Sequence, residues 1–385
     1  MRIAINAYFL EQPATGSGEH LYYLLEALDS IDESNEYLVL YPRLTGSQIV
    51  RMPHLGPHFK VQEVRDFAER LGLRLGKLWW EQLSLRKVCA ETKVDVLHSP
   101  YFASPLFPNV PTVVTIHDVI PLVLPSYAQS FHVRAYMQLV SAAAKRAEAI
   151  LTVSEASKQD IVRVLKIPPE RIHVTYNATD SSLTPICDTS ALDWVRDSYG
   201  ITGDYLLYFG GFDRRKNVER ILQAYHSARE SFNRPCQLVL AGSLNLVGHP
   251  LYPDPRSMIL RYGLEGEVIV TGKISEDEKP ALYSAARAFV FPSLYEGFGM
   301  PVLEAMACGT PVITSCVSSL PEVAGDAALL VDPTDVDAIA GAMVQLVNDA
   351  ALGEDLRRKG LQRASLFSWE ASAAKTLEVY RQVAR

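Results

Sequence analysis

The chain lacks any surplus of positive charge. Its 385 residues carry 37 Lys and Arg against 44 Asp and Glu, a net charge of −7, so nothing in its field favours a nucleic-acid partner. The deficit is uneven. Residues 1–180 hold 18 basic and 19 acidic side chains, leaving 19 and 25 for the remainder. An anionic ligand of the second half must therefore be met by local amides and a few cations. Cysteine is scarce as well: five in total, an odd number without C-x-x-C spacing. Such cysteines fit reduced, mostly buried thiols in a reducing compartment and not a disulfide framework. No apolar run approaches ~18 residues, so no segment is expected to span a membrane. The opening MRIAINAYF alternates like a first strand and lacks the charged and long apolar regions of a signal peptide. The expected location is cytoplasmic, with peripheral contact at the inner face of a membrane as the only membrane role left.

What is present centres on residues 290–312, VFPSLYEGFGMPVLEAMACGTPV. An apolar run over 288–291 predicts a buried strand ended by Pro292 and Ser293. A glycine-broken turn follows, Glu296-Gly297-Phe298-Gly299, and Pro301 then opens a helix that carries Glu304. Proline suits the start of a helix because its missing N–H would be unpaired there anyway. Backbone amides of the turn, backed by the helix dipole, form a site suited to phosphate. The two carboxylates flank the turn and are placed to accept hydrogen bonds from hydroxyls. Hydroxyls on both sides of a diphosphate describe a nucleotide sugar.

Taken in order, the chain alternates strand and helix twice. A strand over 2–8 leads to a glycine loop, Gly16-Ser17-Gly18, and a helix over about 19–29. The loop suggests phosphate contact, but Leu21 stands where G-x-G-x-x-G needs its third glycine, which counts against a dinucleotide-binding dehydrogenase. A strand over 36–41 precedes a less regular region. Residues 65–90, with Arg70, Arg74, Lys77, Trp79, Trp80, Arg86 and Lys87, read as amphipathic helix with a solvated basic face, the alternative being contact with anionic lipid. The strand over 112–116 delivers His117 to the edge where open α/β sheets bind ligands. There His117 can exchange hydrogen bonds with a sugar hydroxyl, while Asp118 either orients it or caps the next turn. Ser154 is placed to cap a helix. Residues 179–203 read as a linker with a short helix.

A second strand–helix series starts at 204. The strand over 205–209 ends at Gly210-Gly211, and Asp213-Arg214-Arg215-Lys216-Asn217 leads into a helix. Cations beside a helix N-terminus oppose its dipole, and an anion held between them would explain their presence. Strands over 237–241 and 267–271 end at Gly242 and at Gly272-Lys273. The loop 244–258, with Gly248, is long enough for a lid. Asp335-Val336-Asp337 copies a metal-binding D-x-D, but acids are favoured in a first helical turn anyway, so no metal site is expected. A last helix over 368–383 puts Trp369, Ala373, Leu377, Tyr380 and Val383 on one stripe.

With Glu296 and Glu304 forming an E-x7-E pair around the glycine turn, the chain resembles the family-4 retaining glycosyltransferases of the GT-B fold, also called group 1 glycosyl transferases. The resemblance covers nearly the whole chain and is strongest over 205–335. It implies an α/β fold of two Rossmann-like, doubly wound domains facing across a cleft. The expected division is an acceptor domain (1–178), a linker (179–203), a donor domain (204–366) and a C-terminal helix (367–385) crossing back to the first domain. It also implies a metal-independent hexosyltransferase that uses GDP-mannose or UDP-glucose as co-substrate, without a cofactor, on a glycan or lipid-linked glycan acceptor. In the family pattern His117 lies near the transferred sugar, which Glu296 contacts, and Arg215 and Lys216 neutralise the leaving diphosphate. The donor is further held by Gly16, Ser17, Gly18, Gly210, Gly211, Gly242, Gly272, Lys273, Gly297, Phe298, Gly299, Met300, Pro301 and Glu304. One departure stands out: Gly210 occupies a position where many relatives carry an additional Arg, for which Arg214 is a candidate substitute. The other readings are a catalytically idle partner in a polysaccharide-assembly complex, a sugar-nucleotide epimerase, or a phosphorylase, whose pyridoxal cofactor finds no evident lysine setting.

Overall fold

The structure, a computed structural model, describes residues 1–12, 15–42, 52–65, 67–244 and 249–384, without the side chains of Ala68 and Arg70. Gly248 of the expected lid and the Arg70 side chain thus lie outside the described residues. The chain forms two units: residues 1–177 with 368–385, and residues 178–367.

The first unit holds seven parallel strands: β1 (Arg2–Asn6), β2 (Glu36–Pro42), β3 (Phe59–Val64), β4 (Val96–Ser99), β5 (Thr112–Thr115), β6 (Ala149–Thr152) and β7 (Ile172–Val174). Their order is β3-β2-β1-β4-β5-β6-β7, so strand order reverses between β1 and β4. The inner strands are apolar runs because both faces of a parallel sheet are covered; Ile3, Ala4, Ile5, Val113, Val114 and Ile150 are fully buried. The helix Gly16–Ile31 turns Leu21, Leu24, Leu25 and Leu28 inward. Its start corrects the expected loop: Thr15 accepts a hydrogen bond from the Gly18 amide at 3.2 Å, so Gly16, Ser17 and Gly18 are its first turn. Ser154 caps Glu155–Leu165 through the Ser157 amide at 2.9 Å, an arrangement worth about 1 kcal/mol.

Residues 65–90 are broken into a 3-10 turn, the helix Gly72–Trp79, a π-helical turn Trp80–Ser84 and the start of Leu85–Thr92. The outer face is not purely basic: Phe67, Leu73, Leu75 and Leu83 are exposed there. The C-terminal helix Trp369–Val383 belongs to this unit, where Trp369 stacks on Tyr23 and the Tyr380 hydroxyl meets His98 Nδ1 at 2.6 Å.

The second unit holds six parallel strands: β8 (Asp204–Phe209), β9 (Cys236–Ala241), β10 (Val268–Gly272), β11 (Ala288–Phe291), β12 (Val312–Ser315) and β13 (Ala328–Val331). Their order, β10-β9-β8-β11-β12-β13, reverses between β8 and β11. Residues 179–203 contain the 11-residue helix Thr189–Tyr199 and fall within this unit. Asp335 caps the helix Val336–Asn348 through the Ala338 amide at 3.0 Å, a structural use for one acid of the D-x-D look-alike. Among the described residues no cluster of His, Cys, Asp and Glu is arranged to hold a metal ion, and no helix is long and apolar enough to cross a membrane.

Candidate active site

Open α/β sheets bind ligands outside the carboxyl ends of their strands, where the strand order reverses. In the second unit that point lies between β8 and β11, and the chain segments leaving those two strands carry the cations and the carboxylate. After β8, Asp213 caps a 3-10 turn, Arg214–Lys216, by accepting from the Arg215 amide at 2.9 Å. Asn217 follows in the left-handed conformation and its side-chain amide donates to the carbonyls of Pro292 and Pro333 at 2.9 and 2.7 Å. The turn is thereby tied to the end of β11, and its two cations reach Glu296. Arg215 Nη1 lies 2.7 Å from one Glu296 oxygen; Lys216 Nζ lies 2.8 Å from the other. Ser293 adds a hydroxyl donor at 2.7 Å.

The cluster is nearly dry, with Glu296 8% exposed. Burial alone would raise its pKa, but Lys216 and Arg215 outweigh burial and hold the carboxyl below the usual range. Its folded value lies below its unfolded one, so its contribution to stability is complete above about pH 4.3 and is lost as pH falls through the lower folded value. The Glu296 backbone is clamped too. Ser318, itself left-handed, accepts from its amide at 3.1 Å and donates to its carbonyl at 2.6 Å. Ser319 donates to the same carbonyl at 3.0 Å and to that of Phe298 at 2.7 Å. These serines, on the chain after β12, were not legible as site residues: serine carries no spacing signature, and the partners lie 21 to 23 positions apart.

The turn beyond Glu296 ends at Gly299, which caps Met300–Ala307 with φ +110, and its missing Cβ leaves room for a Leu320 methyl group. Met300 and Pro301 are the first two helical residues, and Glu304, one turn in, accepts from the Tyr283 hydroxyl at 2.9 Å. Glu304 is 9% exposed, and that hydroxyl fixes its direction. Gly210 and Gly242 extend the ladder past β8 and β9: the Gly210 amide donates to Ala241 and the Gly242 amide to Gly272, both at 2.9 Å. Gly210 stands at φ +154, with the Tyr208 hydroxyl 3.2 Å from where a Cβ would sit. That conformation suits glycine, which gives the absent Arg a physical reason here. Arg214 does not take its place, since its Nε donates to the Pro250 carbonyl at 2.6 Å and the residue is exposed. Gly211 and Lys273 are exposed as well.

Gly16, Ser17, Gly18 and His117 lie in the first unit. His117 follows β5, half-buried, and its Nε2 is 3.2 Å from the Pro100 carbonyl. Asp118 does not orient it: the carboxylate accepts from the Ile120 amide at 2.9 Å and so caps the next turn. The orienting neighbour is one that sequence reasoning missed. His20 packs edge-on against the His117 ring at 4.7 Å, while its Nδ1 pairs with Asn177 Oδ1 at 2.9 Å. His98 lies one strand over, with Nε2 2.9 Å from Thr115 Oγ1. Burial depresses all three, His20 and His98 to about 3 and His117 to about 4. Each folded value lies below the unfolded ~6.5, so the stability these residues lend is complete above pH 6.5 and drains away as pH falls toward 4 and then 3. The melting temperature should be flat from pH 8 to 7 and decline below 6.5, less steeply in His20→Gln; equal slopes in both proteins would contradict the assignment.

The model for glycosyl transferases group 1 matches residues 196–363, and that for glycosyltransferase family 4 matches residues 14–183. The chain is 36% identical over 269 residues to O-antigen chain mannosyltransferase B of Escherichia coli, covering 70% of each chain. It is 32% identical over 285 residues to the serotype-specific mannosyltransferase WbdA of the same organism, spanning 71% of this chain and 34% of that longer one. Among solved structures, sucrose-phosphate synthase from Thermosynechococcus elongatus superposes with a TM-score of 0.75 at 24% identity, over 99% of this chain and 98% of that one.

Proposed function

The chain belongs to the group 1 glycosyl transferases of family 4, hexosyltransferases of glycan synthesis with the two-domain GT-B fold, and from that premise we propose that it moves mannose from GDP-mannose to a hydroxyl of a growing surface glycan, with retention at the anomeric carbon. The observation that carries this reading is the buried Arg215–Glu296–Lys216 cluster at the point where the second sheet reverses its strand order. A diphosphate leaving a sugar gains negative charge as the bond to the anomeric carbon stretches. Fixed cations and turn amides meet that charge without reorganising. Arg215 and Lys216 are the cations; Gly297, Phe298, Gly299 and the helix N-terminus at Met300 and Pro301 supply the dipoles. Glu296, held ionised by its two partners, orients the sugar hydroxyls, and Glu304, held by Tyr283, takes the ribose. Gly210, Gly211, Gly242, Gly272 and Lys273 leave the backbone open along the donor. His117, neutral above pH ~4, accepts or donates one hydrogen bond to the transferred sugar. The acceptor hydroxyl attacks the face the diphosphate leaves, losing its proton to a departing phosphate oxygen, so the scheme routes no step through a metal ion.

Mannose is favoured over glucose because the relatives named above are mannosyltransferases. The exposed Phe67, Leu73, Leu75 and Leu83, beside exposed Arg74 and Lys87, support peripheral contact with an anionic membrane that carries a lipid-linked acceptor. The test is to incubate the chelator-treated protein with GDP-mannose or UDP-glucose and a mannoside, and to read the linkage by NMR. An α-mannoside from GDP-mannose is the expected product, and an inverted product would refute the retaining scheme. Calorimetric titration with GDP, UDP and ADP should give one binding nucleotide, weakened at least ~10-fold in Glu304→Ala. Undiminished binding in that variant would remove Glu304 from the donor site.

A further inference from the structure

The π-helical turn Trp80–Ser84 inserts an extra residue between two helices. Trp80 and Glu81 are consequently both turned fully inward, each 0% exposed. Trp80 Nε1 donates to Asn6 Oδ1 at 2.9 Å, and the Asn6 amide donates to the Tyr101 hydroxyl at 3.0 Å. The hydroxyls of Tyr101 and Tyr136 donate to Glu81 at 3.1 and 3.0 Å. Above this network sits Lys77, one helical turn before Glu81. Its ammonium lies 5.0 Å from the ring centre of Tyr8, 5.2 Å from Tyr136, 5.4 Å from Tyr101 and 5.5 Å from Phe9. Among the described residues its carboxylate partner is Glu81 at 3.7 Å, longer than a hydrogen bond.

Stability does not account for this box. A buried ion pair is usually no better for folding than two apolar side chains of the same volume, and at 3.7 Å the Lys77–Glu81 pair is a loose one. The Lys77 side chain remains 25% exposed, while Phe9 and Tyr136 are half-buried. Outward, the box offers the Lys77 ammonium as donor beside the partly exposed Phe9 and Tyr136. Inward, Glu81 cancels the charge. A group of that kind does not attract phosphate or carboxylate, but it suits a neutral pyranose, whose C–H face lies on a ring and whose hydroxyls accept from the ammonium. Its place in the fold is specific. Tyr8 and Phe9 leave β1, Tyr101 leaves β4 and His117 leaves β5, three adjacent strands, so the box and His117 stand along one ligand-binding edge.

We propose that the aromatic box around Lys77 is a subsite for a neutral sugar of the acceptor glycan, one or more units back from the hydroxyl that reacts beside His117. The assignment rests on the transfer reaction proposed above. It makes the enzyme a reader of acceptor length: an oligosaccharide fills the box, and a monosaccharide does not reach it.

The test uses the full chain and two probes, methyl α-mannoside and α-mannotriose. Removing Lys77 alone would strand Glu81 in the interior, so the variant is Lys77→Met with Glu81→Gln, and Phe9→Ala removes a half-buried ring as an independent check. The mannotriose dissociation constant, read by calorimetry, should rise about 10-fold in both, with nucleotide affinity held. In the transfer assay the preference for mannotriose over methyl mannoside in kcat/KM should collapse toward one. An unchanged preference, equal losses for both acceptors, or a wild type that does not bind mannotriose would overturn the subsite. A wild type that binds mannotriose, loses that binding in the variants and yet transfers nothing from any donor would leave the subsite standing and refute the transferase reading.

Discussion

Glu296→Gln should lower the transfer rate by about 10²–10³-fold, the usual consequence of removing one fixed electrostatic contact from a reacting centre, while nucleoside diphosphate binds at least as tightly as before. The two halves of this result come from one geometry. Arg215 and Lys216 stand 2.7 and 2.8 Å from the two oxygens of Glu296, so each cation is partly neutralised by a carboxylate that a diphosphate must compete with. The amide keeps the shape and one acceptor but surrenders the charge, which frees both cations toward phosphate. What it cannot do is hold the sugar with an ionised acceptor, so binding of product improves as chemistry fails. Glutamine is the informative choice because alanine would leave two cations beside a void, with a stability cost of about 3–5 kcal/mol that confuses the measurement. Initial rates with GDP-mannose and titration with GDP separate the effects. If nucleotide affinity falls together with rate, Glu296 is shaping the pocket and is not engaging the sugar.

The cluster also marks the limit of what a single sequence discloses. Glu296, Arg215 and Lys216 each stand out by local rule: an acid before a glycine turn, and cations where a helix dipole disfavours them. Their mutual pairing across 80 positions is a product of the sheet order, which places β8 beside β11, and no local pattern carries that. The alternating architecture is legible because inner parallel strands are continuous apolar runs. Three outer or short strands escape the same rule. β3 reads FKVQEV and keeps most of its residues half-buried or exposed; β7 has only three residues; β13, on the sheet's edge, leaves Leu330 exposed. The first turn of Gly16–Ile31 reads as loop because glycine is a poor helix former, and the Thr15 cap that fixes it is visible only as a hydrogen bond. Likewise a π-helical turn leaves the amphipathic pattern of 65–90 nearly intact while changing which side chains face inward, so Glu81 and Lys77 carry no warning in the sequence.

Gly242→Ala should destabilise the second unit by about 3 kcal/mol or more, combining overpacking with backbone strain, and lower the melting temperature by roughly 6–12 °C for a unit of this size. The cause is a single contact. At Gly242 φ is +150, and a Cβ would lie 1.9 Å from the Gly210 carbonyl oxygen, a backbone atom that no rotamer change can move. Relief requires the loops after β8 and β9 to part, which breaks the Gly210–Ala241 and Gly242–Gly272 hydrogen bonds that extend the sheet. Those loops also line the proposed donor site, so nucleotide affinity should fall with stability instead of rising as in Glu296→Gln. Gly211→Ala is the matched control. It lies one residue beyond Gly210, has no atom within 4 Å of its would-be Cβ and lacks a positive φ, so it should melt within about 0.5 kcal/mol of the wild type. A Gly242→Ala protein that melts like the control would mean that the two loops are not packed backbone to backbone.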